Sequence, residues 1–163
     1  MSKTHDLAPF WETVSLDDLS DSQWESLCDG CGRCCLHKFI DDETDELFFT
    51  DVACRYLSHE RSLNSDPAQS SACHCRAYES REEKVADCMN LKTVPREQLG
   101  WMPSTCAYRR LYENKALPAW HPLLTGSRAE MDRQQLSLRF HPVQSETHFH
   151  ADEIEEREIK WVS

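Results

Sequence analysis

Glycine is scarce in this chain, with four residues in 163. Four glycines can hardly build a phosphate-cradling loop or a dinucleotide fingerprint, and neither motif is found. There is no Gly-x-Ser-x-Gly elbow of the kind that presents a hydrolase nucleophile. Nucleotide-dependent chemistry and serine hydrolysis are set aside on those grounds. No stretch of 18 apolar residues occurs, so no membrane span is expected. The opening "MSKTHDLAPFWETVSLDDLSD" lacks an apolar run of signal-peptide length and carries acids early, which makes the cytoplasm the expected compartment. Basic residues are also few. Lys and Arg number 18 against 29 Asp and Glu, for a formal net charge of -11. A concentrated basic face is what phosphate-backbone binding needs, so no nucleic-acid partner is expected. The charge is uneven: residues 1–54 hold 13 acids and 3 bases, whereas residues 55–150 hold 11 acids and 13 bases. The bulk of these acids reads as solvated surface.

Apolar content is low as well, at 39% with a mean hydropathy of -0.68. A lean core calls for a staple, and a bound metal can supply folding free energy directly. The chain carries what such a staple needs. It has nine cysteines, and four of them fall within "CDGCGRCC", residues 28 to 35. In a reducing compartment clustered thiols are metal ligands more often than disulfides, and an odd count cannot all pair. "CDGCGRC" holds two overlapping Cys-x-x-Cys knuckles, with Gly30 and Gly32 flanking Cys31. Glycine there lets the backbone turn tightly behind the sulfurs. Cys34 and Cys35 are adjacent, and neighbouring side chains in extended chain point apart. One therefore serves a first site and the other a second. Cys54, Cys73, Cys75, Cys88 and Cys106 follow. Eight thiolates would fill two four-ligand sites and leave one cysteine over.

Spacing also bears on the metal. A Cys₄ zinc site usually pairs two knuckles, but "CHC" at 73–75 has a single intervening residue. A triple Cys-x-x-Cys-x-x-Cys with distant partners is nearer the iron–sulfur pattern, although no "CP" follows as in the bacterial ferredoxin run. Iron–sulfur, with zinc as the alternative, is the expectation. Beside the thiols stand His37, Lys38, Arg76, Arg109, Arg110 and His121, and the tail carries His148 and His150. The arginines can offset thiolate charge. The histidines are open to either a structural or a ligand and acid–base role.

The chain reads as a single domain of 163 residues, of small, irregular, metal-stabilised α+β type with short helices and a few antiparallel strands. Ser15 and Ser20 or Asp21 cap short helical turns that place Trp24 and Leu27 on one face. "LHKFI" and "LFFT" flank the acidic "DDETDE" as a hairpin. "TDVACRYL" reads as a helical turn, residues 58–71 as a polar loop, and "STCAYRRLYEN" as a helix capped by Ser104 or Thr105, with Cys106 in its first turn. "LSLRF", residues 136 to 140, reads as a strand, and residues 141–163 as a peripheral acidic tail.

The strings "PFW", "WESLCDGCGRCCLHK", "TDVACRYL", "CHCRAY", "DCMNL", "STCAYRRL" and "LPAWHPLLTGS" carry a specific resemblance. Over residues 9 to 140 the chain resembles the bacterial YcgN-type proteins of the YkgJ superfamily, the CxxCxxCC zinc- or iron-chelating families. The resemblance implies a metal-binding protein, often described as an iron–sulfur oxidoreductase, with no settled reaction. It implies a ligand set of Cys28, Cys31, Cys34, Cys35, Cys54, Cys75, Cys88 and Cys106, with Cys73 as the spare. The function expected is redox or electron transfer through one or two 4Fe-4S clusters, in exchange with a protein redox partner. A zinc-stabilised binding module without catalysis and a metal store or donor are the alternatives.

Overall fold

The computed structural model describes residues 8–59 and 71–163. Of the expected polar loop at 58–71, residues 60–70 lie outside the described residues, as do residues 1–7 of the opening segment.

The chain enters through a short helix α1 (Phe10–Thr13) and a 3-10 turn over Leu16–Asp18. Helix α2 (Asp21–Leu27) follows, and it begins where the sequence says it should. Ser20 accepts the Gln23 amide while the Gln23 side chain takes the Ser20 amide, a reciprocal capping box. Trp24 and Leu27 are its buried residues. The cysteine loop comes next, then strand β1 (Leu36–Ile40) and strand β2 (Leu47–Ala53). These two pair antiparallel, with Phe39 opposite Phe48 and Ile40 opposite Leu47. Asp41 Oδ1 accepts the Glu43 and Thr44 amides and so folds the acidic turn between them.

The segment expected as a helical turn, "TDVACRYL", instead completes β2 and then turns into strand β3 (Leu57–Ser58). Val52 and Ala53 are fully buried, and burial within the sheet outweighs a cap signal that had no apolar helical face behind it. Strand β3 pairs with β4 (His74–Cys75), setting Leu57 opposite Cys75. Helix α3 (Arg81–Lys84) and a 3-10 stretch over Arg96–Trp101 lead to α4 (Ala107–Tyr112). That helix was expected, but Cys106 rather than Ser104 or Thr105 holds the N-cap position, without a side-chain cap. Short helices α5 (Pro122–Thr125) and α6 (Ala129–Arg133) follow.

"LSLRF" is a 3-10 turn over Leu138–Phe140 and not a strand. Ser137 Oγ caps it by accepting the Arg139 amide, and the Leu138 amide is drawn away to the Cys31 carbonyl at 2.9 Å. Residues 141–163, expected as an acidic tail, supply strand β5 (Gln144–Ser145), helix α7 (Ala151–Ile154) and strand β6 (Glu158–Ile159). Strand β5 runs parallel to β2, and β6 runs antiparallel to it. The acids of the segment other than Glu146 are exposed, while Val143, Ile154 and Val162 are buried. A bidentate Arg157–Asp51 pair at 2.7 and 2.8 Å ties the segment to β2. The result is the small mixed α+β architecture expected.

Apolar residues form two buried groups. One gathers Leu36, Phe49, Ala53, Leu57, Leu138 and Val162 under the sheet. The other gathers Leu19, Trp24, Leu27, Leu99, Tyr108 and Leu117 around α2 and α4. Residues 28–35 connect them, because Leu27 ends in the second group and Leu36 starts in the first.

That connection is held tightly. Gly30 and Gly32 adopt left-handed φ of +70° and +80°. A Cβ on Gly32 would stand 2.9 Å from the Cys73 Cβ. Strain at positive φ and overpacking add, so Gly32→Ala is expected to destabilise the metal-free chain by roughly 2–4 kcal/mol. Gly100→Ala, with nothing within 4 Å of the new Cβ, should be close to neutral. Denaturant titration of both variants checks the contrast, and equal midpoints would contradict it.

Candidate metal centre

The loop 28–35 is built outward from its carbonyls. Gly30 O accepts the Cys73 amide at 2.7 Å, Cys31 O the Leu138 amide at 2.9 Å, and Cys35 O the Cys54 amide at 2.9 Å. Arg128 donates to the carbonyl of Asp29. Within the loop, the Cys31 amide binds Asp29 Oδ1 at 3.0 Å and the Cys35 amide binds Gly32 O at 3.0 Å. With its polar backbone groups so engaged, the loop can turn its sulfurs to the other side.

Six cysteines, Cys28, Cys34, Cys35, Cys54, Cys75 and Cys88, reach a cavity of about 830 Å³. Its walls are mainly apolar and include Phe39, Leu47, Tyr56, Leu91 and Trp101. Cys28 and Cys34 are solvent-exposed, yet protein surrounds their sulfurs at the bottom of this basin. Surrounding apolar matter therefore governs their ionisation more than their contact with water does.

The thiols group into two sets that overlap at Cys34, which opposes the ionisation of members of both. Burial first, then the charges of Cys34 and Asp29, push the Cys28 thiol up to about 12, with Cys106 adding to the effect. Burial, Asp29 and Cys34 hold Cys31 well above the ordinary thiol range. Burial leads again at Cys106, which rises to about 12, with Cys34 and Asp29 contributing. Cys28, Cys31, Cys34 and Cys106 thus form an inner set. In the outer set, burial raises Cys54, with Glu146 and Cys75 adding to it. Burial raises Cys88 too, opposed by Arg81 and helped by Cys75, Cys54 and Cys34. Cys35 belongs here, since the charges of Cys54 and Cys75 act on it.

The sets meet at the vicinal pair. The hydrogen bond from Cys35 is the main reason Cys34 falls to about 7, with Lys38 lowering it further against burial and Asp29. The same bond is the main reason Cys35 rises. All eight cysteines of the expected set therefore lie in one region. They are not packed into a single-ion cage: among the described residues no group of three or more His, Cys, Asp or Glu side chains is ready to hold one metal ion. Binding has either to draw a set inward or to fill it with something larger than one ion.

Cys73 stands apart. It is buried in the core beneath the sheet, with Sγ 3.5 Å from Ser137 Oγ. Burial raises its thiol, opposed by Ser137 and Arg139.

The other sequence candidates have structural partners. His121 is 1% exposed; its Nδ1 accepts the Leu123 amide and its Nε2 donates to Leu27 O. His37 Nε2 pairs with Glu146 at 2.6 Å, and Glu146 also accepts from the amide and Nε of Arg55. His150 occupies the N-cap of α7. Arg76 binds the Arg55 carbonyl, Arg109 binds Glu113 and the Met102 carbonyl, and Arg110 binds the Ala116 carbonyl. The cations that act on the gathered thiols are Lys38 and Arg81 instead, together with Arg55 beside Cys54. Two residues were missed in the sequence: Asp29, whose only signal was an acid inside the knuckle, and Glu146, which carried none.

The chain was compared with known proteins. It is 51% identical over 131 residues to the UPF0260 protein YcgN of Escherichia coli strain K12, covering 80% of this chain and 78% of that protein. The same figures hold for the YcgN proteins of Escherichia coli O6:K15:H31 and of Shigella flexneri. No protein-family model matches the chain, and no solved structure does.

One outcome follows from the vicinal pair. The thiolate is the nucleophile in alkylation, and Cys34 is both exposed and lowered to about 7. In metal-free protein at pH 7, Cys34 should be the first cysteine that iodoacetamide modifies, with Cys73 among the last. Peptide mapping by mass spectrometry after limited labelling reads the order. Uniform labelling would contradict it.

Proposed function

The chain belongs to the UPF0260 family of YcgN proteins, and we propose that it is an iron–sulfur electron carrier whose eight gathered cysteines, six of them lining the basin, hold two clusters. The observation that supports this reading is the gathering of eight thiols in one region, six of them lining one cavity, around the adjacent Cys34 and Cys35. Four thiolates are the complement of one 4Fe-4S cluster, and thiolate is the donor that selects iron–sulfur clusters, zinc or Cu(I) over harder ions. Cys28, Cys31, Cys34 and Cys106 would hold the inner cluster, and Cys35, Cys54, Cys75 and Cys88 the outer one. Cys73, bound to Ser137 within the core, is left out of both. On this reading the chain falls with the CxxCxxCC chelating proteins of the YkgJ superfamily.

The bound clusters supply one-electron chemistry. What the protein's own residues do is set the surroundings. Val85, Met89, Leu91 and Trp101 wall the basin, and their apolar surface raises the weight of nearby charges. Lys38 and Arg81 place positive charge close to thiolate, which eases the gathering of several anions in one place. Because the outer set opens on the cavity, electrons enter and leave on that side, by way of a protein partner that covers the basin.

Anaerobic purification followed by metal and sulfide analysis is the test. Two four-iron clusters correspond to about eight iron and eight acid-labile sulfide per chain, with a brown colour. Colourless protein with about two zinc per chain would establish the zinc-stabilised module in its place. Cys31→Ser should lose metal from the inner set, because Cys31 sits between two knuckles and serine is a poor soft-metal ligand. Cys73→Ser should retain it. Removing the metal should lower the melting temperature, since binding free energy is folding free energy here. Equal metal loss in the two variants would overturn the assignment.

A further inference from the structure

Strand β1 is an outer strand of its sheet. Among the described residues it pairs with β2 alone, and β2 takes β5 and β6 along its other edge. The β1 groups that reach β2 come from alternate residues. Cys35 O accepts the Cys54 amide at 2.9 Å, His37 O accepts the Thr50 hydroxyl at 2.8 Å, and the Asp41 amide donates to Glu46 O at 2.9 Å. Neighbouring residues of a strand aim their N–H and C=O at opposite edges. Lys38 and Ile40 therefore aim both groups away from β2, and no described contact meets them on that outer side. The Leu36 amide, by contrast, is turned back to Arg33 O.

This free edge borders the thiol basin. Leu36, His37, Lys38, Phe39 and Ile40 all line the same cavity as the six cysteines. Side chains alternate between the two faces of a strand, so an unbroken run of five places the cavity along the edge and not over one face alone. Free donors and acceptors two residues apart, beside apolar walls, are a template for one more strand. The five residues of β1 span roughly 16 Å, and the row begins next to Cys35.

The charge at the far end selects the occupant. There the edge runs into the turn 41–46, where Asp41, Asp42, Glu43, Asp45 and Glu46 are all exposed. None of the five has an ion-pair partner among the described residues. Lys38 guards the middle of the edge against unselected strands, but five acids outweigh it. A second copy of this chain would bring a formal net charge of -11 to that turn, which disfavours self-pairing.

We propose that the outer edge of β1 docks an extended segment of a partner protein, apolar where it lies along the basin and basic where it meets the 41–46 turn. This deepens the reading above, from which it takes the need for a partner, and it holds whichever metal the thiols carry. The segment adds to the sheet as a strand, exchanging main-chain hydrogen bonds with Lys38 and Ile40. Its inner end stops beside Cys35, which sets the partner against the thiols.

The test is fluorescence anisotropy on the full, anaerobically purified chain, with a labelled seven-residue peptide of alternating valine and threonine that ends in two lysines. The lysines are placed at the first or at the last end, in two peptides, to allow either strand direction. Matching peptides carry glutamate in place of lysine. Metal and sulfide are measured on the same sample, so the iron–sulfur reading and the docking edge stand or fall separately. One lysine peptide should bind at least tenfold more tightly than its glutamate counterpart, and added salt should narrow the gap. Ile40→Pro removes an N–H that β2 does not use. It should weaken the lysine peptide at least tenfold with the melting temperature little changed, whereas Ile40→Val should bind as the wild-type chain does. Lys38→Pro serves if Ile40→Pro unfolds, and the lysine-to-glutamate comparison needs no variant at all. The proposal is overturned by failure of both lysine peptides to bind at about 1 mM, by equal binding of lysine and glutamate peptides, or by unchanged binding in a folded Ile40→Pro chain. A dimer of the wild-type chain that Ile40→Pro abolishes overturns it too, since the edge would then belong to a second copy.

Discussion

The structure depends on how the eight residues from Cys28 to Cys35 dispose of their backbone polar groups. Their carbonyls accept amides from Cys73, Leu138 and Cys54 and a guanidinium from Arg128. These partners come from four separate parts of the chain. Buried backbone groups must be satisfied, so the loop fixes where those segments lie. It also joins the two apolar groups, neither of which is large. A loop this highly connected cannot move without breaking contacts in both. The two left-handed glycines are the geometric condition for it, since side chains at Gly30 or Gly32 would meet Ala72 or Cys73 at about 3 Å.

The parts of the fold that were legible in the sequence are those with local causes. Ser20 is the N-cap that the sequence offered, and with Gln23 it closes a capping box, because both halves of that contact lie within one turn. The β1–β2 hairpin was visible in "LHKFI" and "LFFT" because strand periodicity and an acidic turn are also local. The failures share the opposite origin. Residues 136–140 alternate like a strand, but the Leu138 amide belongs to Cys31, more than a hundred positions earlier. Cys54 follows a helix-like "TDVA", but Val52 and Ala53 are claimed by β5 in parallel pairing with Gln144 and Ser145. The C-terminal segment looked peripheral because its acids dominate its composition. Its packing is done by Val143, Ile154 and Val162, three residues that carry no pattern.

The site was legible to a different degree. Four cysteines in eight residues announce a thiol cluster without help from the fold, and adjacent Cys34 and Cys35 already suggested two sets. Which distant cysteine joins which set was not legible. Cys106 joins the inner set because α4 packs on the core beneath α2, where Trp24 and Tyr108 stack with ring centres 4.5 Å apart. Cys75 joins the outer set because β4 pairs with β3 opposite Leu57. Cys73, two residues before Cys75 and just outside β4, is held in the core instead, with its amide on Gly30 O and its sulfur beside Ser137 Oγ.

The thiols also explain why fold and occupant belong together. In the chain alone, burial and mutual charge keep Cys28 and Cys106 near 12, so the two carry protons at neutral pH. The fold gathers the sulfurs but resists their ionisation. Only a cationic centre that accepts thiolate reverses that balance, and each thiolate it recruits relieves the repulsion felt by the rest. Binding is thereby expected to be cooperative within a set and to release protons. Cys34, lowered to about 7, is the natural first ligand. Its peptide neighbour Cys35 then loses a hydrogen-bond acceptor as Cys34 turns to metal. On the proposed cluster reading that would free the Cys35 sulfur, so that filling one set would prepare the other.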